Sequence, residues 1–559
     1  MLKPHVHPQT SQKLSLFFSV FVFVFSFGFL FYRTQFGVDF FDEPYYSALA
    51  LRWFLGQKLF VDELYLAQTF SILTFPFFSF YLKLTQSLEG IIFFMRACNA
   101  LLYLGLGSAI YFSLKKELNT PFALLVAASS CLFFPGNMLA MGYNSLGTLF
   151  LTLSLGFVFL GIYYHRKWLL FLAGIGMGFA CISYITFSAM ALFLACYLFL
   201  FEKRKALSAY FVSGVAITLA LPLLFIFTHW SNFLNAYAFG KEYHHEAPTL
   251  MKLLTVIHKF FPKKVLALVG IFFLLAHRTR YKYPLVFDFL ISLIPLLAAL
   301  CCRWSFCFWS GYPFYLPVLS LISFYRIKHT PFSQCLFRWV FVPSMVAGLI
   351  TAGTSASGFF NAQVGLLPAT LAGLLFVGLS LQNRHSKNSF LQVCSLALPV
   401  FLLLLFPLNV WSDSDFKLLT KKVTLGPYRG LYTSEEKQKI TEQSFQALSP
   451  LLNTQGPLLV YPNGPAGYLI HPIPPARGVT WYENSGRTNE ILANLYRAQM
   501  NPESRVIRMK VWYGSPTVKS YYQFDSTDVL NQLIESTHYP IKETEWFTVF
   551  APKEKSPRS

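Results

Sequence analysis

Charge is what this 559-residue chain has least of: only 13% of its residues are Asp, Glu, Lys or Arg, about half the share usual in a globular domain. With 55% hydrophobic residues, 62 Phe and a mean hydropathy of +0.48, that scarcity excludes a disordered chain, a collagen-like repeat, a coiled coil and a small disulfide scaffold. Cysteine is sparse as well. All nine (Cys98, Cys131, Cys181, Cys196, Cys301, Cys302, Cys307, Cys335, Cys394) lie in or beside apolar runs, without metal-finger spacing. None follows residue 394, so no disulfide set staples the C-terminal segment. The sequence shows no internal repeat.

What the chain does have is a series of apolar runs, each long enough for a hydrocarbon layer about 30 Å thick. Candidate spans fall near 14–32, 91–113, 121–136, 146–164, 168–185, 187–201, 207–228, 264–280, 285–302, 312–325, 337–354, 363–381 and 390–411, thirteen in all. The first is too long and too aromatic for the core of a signal peptide and reads as a retained span. The apolar stretch 64–82, with Pro76 and Lys83, reads instead as interfacial or re-entrant.

The net charge of +20 invites a nucleic-acid reading, which its distribution opposes. Of the 28 Lys and Arg in residues 1–411, 16 sit in the N-terminal tail and six short connectors: Lys115-Lys116, Arg166-Lys167, Lys203-Arg204-Lys205, Arg278/Arg280/Lys282, Arg326/Lys328 and Arg384/Lys387. Thirteen spans put all of them on one side, which the positive-inside rule makes cytoplasmic. The opposite side then carries a long first loop, 33–90, and the polar segment 412–559, which holds 14 of the 25 acidic residues. That segment reads as a small α/β unit. Thr433 and Glu436 fit a capping box opening a helix to about Leu452; strands are expected at 458–461, 506–512 and 546–550, and helices near 487–500 and 527–536. No glycine-rich dinucleotide fingerprint precedes these helices. The expected fold is an all-α polytopic domain over 1–411 with an extracytoplasmic α/β domain over 412–559.

Only eleven Asp or Glu occur in residues 1–411, and five of them crowd into 25 residues of the first loop: Asp39, Asp42, Glu43, Asp62 and Glu63. Carboxylates beside a membrane are costly to desolvate and tend to mark a site. Asp42-Glu43-Pro44 reads as a helix start, with Asp42 or Glu43 as the cap and Pro44 in the first turn. The helix would end at Gly56, too short to span. Its faces are apolar apart from Ser47 and Arg52, so it should lie along the membrane surface. A plain capping role and a solvated surface are the competing explanations for these acids.

An Asp-Glu pair followed by a short aromatic-rich helix, just after the first span, resembles the first external loop of the C-type (GT-C fold) membrane glycosyltransferases. The nearest groups are the protein O-mannosyltransferases and the lipid A aminoarabinose transferases. The resemblance covers the architecture of residues 14 to about 411. It implies an enzyme of the plasma (inner) membrane that takes a sugar from a polyprenyl-phosphate donor to a glycan, lipid or protein acceptor on the extracytoplasmic face. By the same resemblance Asp42 lies at the reaction centre with Glu43 beside it, and Asp62 or Glu63 is a second acidic position. A Lys-Pro-Pro sequence common after that second acid is missing; this chain reads Asp62-Glu63-Leu64-Tyr65.

Such a transfer needs a carboxylate to take the acceptor proton and cations to stabilise the departing phosphate. Arg303 in Cys301-Cys302-Arg303-Trp304, Arg96 and Lys58 lead the cation candidates, Arg52 and Lys83 following; snorkelling to lipid headgroups is the alternative for the arginines. In the loop 229–263, His244-His245 between Glu242 and Glu246, with His229 and His258, is either a divalent-metal set or an acceptor-contacting or solvated loop; no cofactor is otherwise indicated. Tyr143-Asn144 and the run 354–358 with Asn361 sit at span ends, where they serve a sugar, a helix cap or helix packing. A solute or lipid transporter is the alternative class. It would place ionisable residues at mid-membrane depth, whereas here the acids gather at one surface.

Overall fold

A computed structural model describes residues 8–202, 205–243, 330–355, 358–382, 412–480, 486–515, 518–524 and 528–553, with isolated positions in 316–327 and at 393, 396, 397 and 410. Twelve helices before residue 383 concern the site: α1 (Pro8–Arg33), α2 (Asp42–Phe54), α3 (Ser71–Thr85), α4 (Ile91–Leu114), α5 (Thr120–Leu132), α6 (Tyr143–Tyr163), α7 (Lys167–Ser183), α8 (Phe187–Phe201), α9 (Ala206–Thr228), α10 (Trp230–Tyr243), α11 (Pro331–Thr354) and α12 (Ala362–Gln382). Of these, α1, α4, α6, α9, α11 and α12 are long and apolar enough to cross a membrane. The chain is a mostly helical integral membrane protein with a small C-terminal sheet region.

The expected spans divide into three groups. Those near 14–32, 91–113, 146–164, 207–228, 337–354 and 363–381 coincide with the six long helices. The runs 121–136, 168–185 and 187–201 form α5, α7 and α8, apolar helices of 13, 17 and 15 residues, shorter than the roughly 20 residues an upright span needs. The spans 264–280 and 285–302 lie outside the described residues, as does most of 390–411 and part of 312–325. The stretch 64–82 yields α3, which starts only at Ser71 and has 15 residues around Pro76, too few to cross upright.

Local chemistry explains several boundaries. Asn119 accepts the Phe122 N–H ahead of α5, with Pro121 in the first turn. Within α11 a π-helical turn at Phe337–Phe341 precedes Pro343, whose missing N–H breaks the regular ladder. The helices α7 and α9 touch backbone to backbone at Gly174 and Gly214. A Cβ on Gly174 would lie 2.0 Å from the Phe211 carbonyl oxygen, so only glycine permits that approach.

After Ser412 the strands are β1 (Lys421–Lys422), β2 (Tyr432–Thr433), β3 (Leu458–Tyr461), β4 (Arg505–Met509), β5 (Val511–Ser515), β6 (Val518–Tyr521), β7 (His538–Glu543) and β8 (Phe547–Pro552). A four-stranded sheet runs in the order β3-β4-β8-β7, with β3 and β4 parallel and the other pairs antiparallel. Its helices are α13 (Glu435–Leu448), α14 (Gly486–Gln499) and α15 (Val529–Thr537). The expected cap of α13 is corrected by one residue: Ser434, not Thr433, accepts the Lys437 N–H. Thr433 is drawn into β2, where its hydroxyl bonds the Asp413 carboxylate at 2.5 Å.

The C-terminal segment does not hang from the bundle by a tether. Val38, Ala48, Leu51, Ile91, Ile92 and Met95 share one buried cluster with Val423, Tyr428, Leu431, Leu448, Leu458 and Phe547. At roughly 1.5–3 kcal/mol for each large apolar side chain removed from water, this shared core fixes the first loop against the sheet. The acidic residues lie within that junction.

Candidate active site

The site begins with how α2 starts. Asp39, three residues ahead of the helix, accepts the N–H of Phe41 at 3.1 Å and of Glu43 at 3.0 Å, taking the capping role expected of Asp42 or Glu43. Phe41, the residue preceding α2, offers no side-chain cap. Asp39 is almost fully buried. Burial, and then the neighbouring Glu43 charge, push its carboxyl up to about 6, against the pull of its two backbone N–H donors.

Glu43 is an anchor. It pairs with Arg96 of α4 through both carboxylate oxygens, Nε to Oε1 at 2.8 Å and Nη2 to Oε2. The same guanidinium donates to the carbonyls of Thr34 and Phe36 at 3.0 Å and of Gly37 at 2.9 Å. All five N–H donors of Arg96 are thereby used. The phosphate-binding expectation for Arg96 is corrected accordingly: burial against Glu43 and three carbonyls leaves it no N–H to offer. Together with Asp39, Arg33 and Met138 the pair lines a small cleft.

Asp62 and Glu63 form a clamp on the C-terminal segment. Glu63 accepts the Thr480 N–H at 2.9 Å and its hydroxyl at 2.5 Å, and lies 3.3 Å from Arg52 Nε. Burial raises the Glu63 carboxyl, with the Arg52 charge and the Thr480 bonds opposing. Arg52 also donates to Thr480 Oγ1, Gln57 Oε1 and the carbonyls of Asp62 and Ala476. Asp62 accepts the Lys58 N–H at 2.7 Å and pairs with Arg477 at 2.8 Å. The Lys58 side chain is exposed.

Asp42 occupies the first turn of α2 at 9% exposure. One turn on, Tyr46 meets the Tyr143 ring edge-on at 5.4 Å, and the Asp42 charge acts on both hydroxyls. Burial lifts Tyr46 far above its ordinary value, so it remains a hydroxyl donor. This approach depends on Gly142, where a Cβ would sit 2.3 Å from the Tyr46 ring.

The structure thus brings Asp42 and Glu43 to one helix end and sets Asp62 and Glu63 at the clamp. Arg303, His244, His245 and His258 lie outside the described residues; among those described, no group of three or more His, Cys, Asp or Glu is placed to hold a metal. The sequence reading passed over Asp39 as a cap, although it belongs to the same acidic cluster. Thr480, Tyr428 and Lys437 gave no local signal either, since each reaches the first loop from hundreds of residues away.

No family model and no curated protein matches this chain. Among solved structures it is similar to the oligosaccharyltransferase AglB of Archaeoglobus fulgidus in complex with an inhibitory peptide and a dolichol-phosphate, at 12% identity and TM-score 0.48, over 88% of this chain and 69% of that one. A second Archaeoglobus fulgidus oligosaccharyltransferase structure, with Zn and sulfate, gives 13% and 0.48 over 87% and 68%. ArnT from Cupriavidus metallidurans in the apo state gives 12% and 0.41 over 95% and 97%.

Proposed function

We propose that this protein is a membrane glycosyltransferase that moves a sugar from a polyprenyl-phosphate donor to an acceptor hydroxyl at the extracytoplasmic surface, with Asp42 as the general base. The observation that carries the reading is the position of Asp42: buried in the first turn of a helix whose start is held by Asp39 and Glu43, one turn ahead of Tyr46, whose ring meets that of Tyr143. Neighbouring acids have structural duties as cap, anchor and clamp, which hold the α2 start in place. Preorganisation of this kind is what proton abstraction from a bound hydroxyl requires.

In the reaction the acceptor oxygen bonds the anomeric carbon as the bond from that carbon to the phosphate oxygen breaks. The acceptor proton passes to Asp42, and the polyprenyl phosphate leaves carrying the bonding pair. A cation must meet that charge. Arg303 remains the leading proposal for it, because a planar guanidinium engages two phosphate oxygens and stays charged when partly buried; the exposed Lys58 is second. The acceptor is a glycan, lipid or protein, and the surrounding bilayer lipids hold the donor tail.

Asp42→Asn tests the reading. It keeps the size of the side chain and removes the basic oxygen, so turnover should fall about 10²–10⁴-fold with an unchanged melting temperature. Near-normal turnover of the purified variant would remove Asp42 from the chemistry.

A further inference from the structure

We propose that the sugar of the donor is seated where α6 and α12 begin, hydrogen-bonded by Asn144, Asn361 and Gln363 and bordered by the rings of Tyr143 and Tyr184. This rests on the reading of Asp42 above and deepens it, by naming the part of the substrate these residues recognise.

Capping does not account for Asn144. The residue preceding α6 is Gly142, and its N–H is satisfied by Ser145 Oγ at 3.1 Å. The Asn144 side-chain oxygen is left without a partner although the residue is only 7% exposed. Gln363, at 2% exposure, has its side-chain nitrogen in the same condition. An acceptor and a donor are thus both buried and unmatched, a costly arrangement unless something else supplies the missing bonds. The two helices are in direct contact: Thr148 Oγ1 donates to the Val364 carbonyl at 2.9 Å, one turn below Asn144 and one residue after Gln363.

The same end of the bundle connects to the base through rings. Asn361 donates to the Tyr184 hydroxyl at 3.4 Å and to Ser355 Oγ. Tyr184 lies 5.6 Å from Tyr143, and Tyr143 lies 5.4 Å from Tyr46, on which the Asp42 charge acts. None of the five proposed residues carries a charge, so the group does not suit a phosphate. Neutral amides and hydroxyls beside aromatic faces match the hydroxyls and ring of a sugar, which offer many neutral donors and acceptors and one apolar face.

Binding to the full-length protein in detergent separates the possibilities. The probes are farnesyl phosphate and the same lipid phosphate carrying mannose, glucose, N-acetylglucosamine or a pentose. The wild-type protein should bind at least one glycosylated probe about tenfold or more tighter than the bare phosphate, the worth of one or two satisfied buried hydrogen bonds. Asn144→Leu and Gln363→Met, close in size to the residues they replace, should each remove most of that preference while leaving farnesyl phosphate binding unchanged. Melting temperature is followed alongside, because replacing an unmatched polar group with an apolar one does not by itself destabilise a protein. A higher melting temperature with the sugar preference intact would make both residues purely structural and overturn the proposal. So would a wild-type protein that binds no glycosylated probe better than the bare one. If the wild-type protein binds neither kind of probe, the lipid-phosphate reading itself fails, an outcome distinct from the loss of the sugar seat alone. Asn144→Ser and Gln363→Leu provide the second pair should either first variant not accumulate.

Discussion

The Tyr428 hydroxyl donates to the backbone carbonyl of Asp39 at 2.6 Å, joining residues 389 positions apart in the chain. It belongs to a set of bonds that grips the strand of backbone leading into α2. Tyr432 O accepts from Gly37 N at 2.7 Å, Asp413 Oδ2 accepts from Val38 N at 2.6 Å, and Lys437 Nζ donates to Val38 O at 2.6 Å. The C-terminal segment therefore holds the three residues that set where α2, and with it Asp42, begins.

Tyr428→Phe should measure that grip. It removes one buried hydroxyl and leaves the Asp39 carbonyl to find another donor, a loss of about 0.5–1.5 kcal/mol. A lowered melting midpoint is expected, with turnover reduced several-fold and donor affinity unchanged. A change confined to donor affinity would mean that Tyr428 acts on the substrate rather than on α2.

Arg96 and Glu43 should behave as structure. Arg96→Ala leaves the Glu43 carboxylate buried without its partner, at a cost of about 3–5 kcal/mol, so the variant should accumulate poorly or melt far below the parent. Glu43→Gln keeps an acceptor for the guanidinium and should lose much less. If Arg96→Ala melts normally but binds farnesyl phosphate weakly, the arginine is a phosphate ligand after all.

Asp39 supplies a pH dependence whose sign is fixed by its burial. Its carboxyl is raised from 3.8 to about 6 in the folded protein, facing Glu43 in the first turn of α2, Lys437 and Tyr428 from the C-terminal segment and Arg33 and Arg96 across the cleft. The folded state holds this proton more tightly than the unfolded chain. The contribution of Asp39 to stability is therefore fully present below about 3.8 and is lost as pH rises through about 6. Asp39→Asn, which keeps an oxygen for the cap and removes the titration, should gain on the parent between pH 5 and pH 8, by an amount on the order of 2 kcal/mol. Parallel melting curves for the two proteins across that range would contradict the assignment.

Sidedness is open to a reporter. The positive-inside rule expects the basic connectors to share the cytoplasmic side with the N-terminus, in which case alkaline phosphatase fused after Lys553 should be active and a fusion at Arg204 inactive. Activity at Arg204 would invert the arrangement and place the acidic loop in the cytoplasm.

Composition and long apolar runs alone determined that this chain is a polytopic membrane protein, since such runs satisfy their backbones in hydrocarbon as helices. Part of the C-terminal segment was legible too: the strands expected at 458–461 and 546–550 meet β3 and β8, because apolar strand composition is a short-range signal, whereas the run 506–512 divides between β4 and β5, and β6 and β7 were not foreseen. The clustering of Asp39, Asp42, Glu43, Asp62 and Glu63 was equally plain in one dimension. What each acid does was not. Asp39 caps by accepting the Phe41 and Glu43 N–H groups, Glu43 is paired with an arginine 53 residues on, and Glu63, beside the Arg52 charge, accepts two hydrogen bonds from a threonine 417 residues on. A carboxylate's role depends on which donors reach it and how much water it loses, and both are set by chain segments that meet only when the whole molecule has folded.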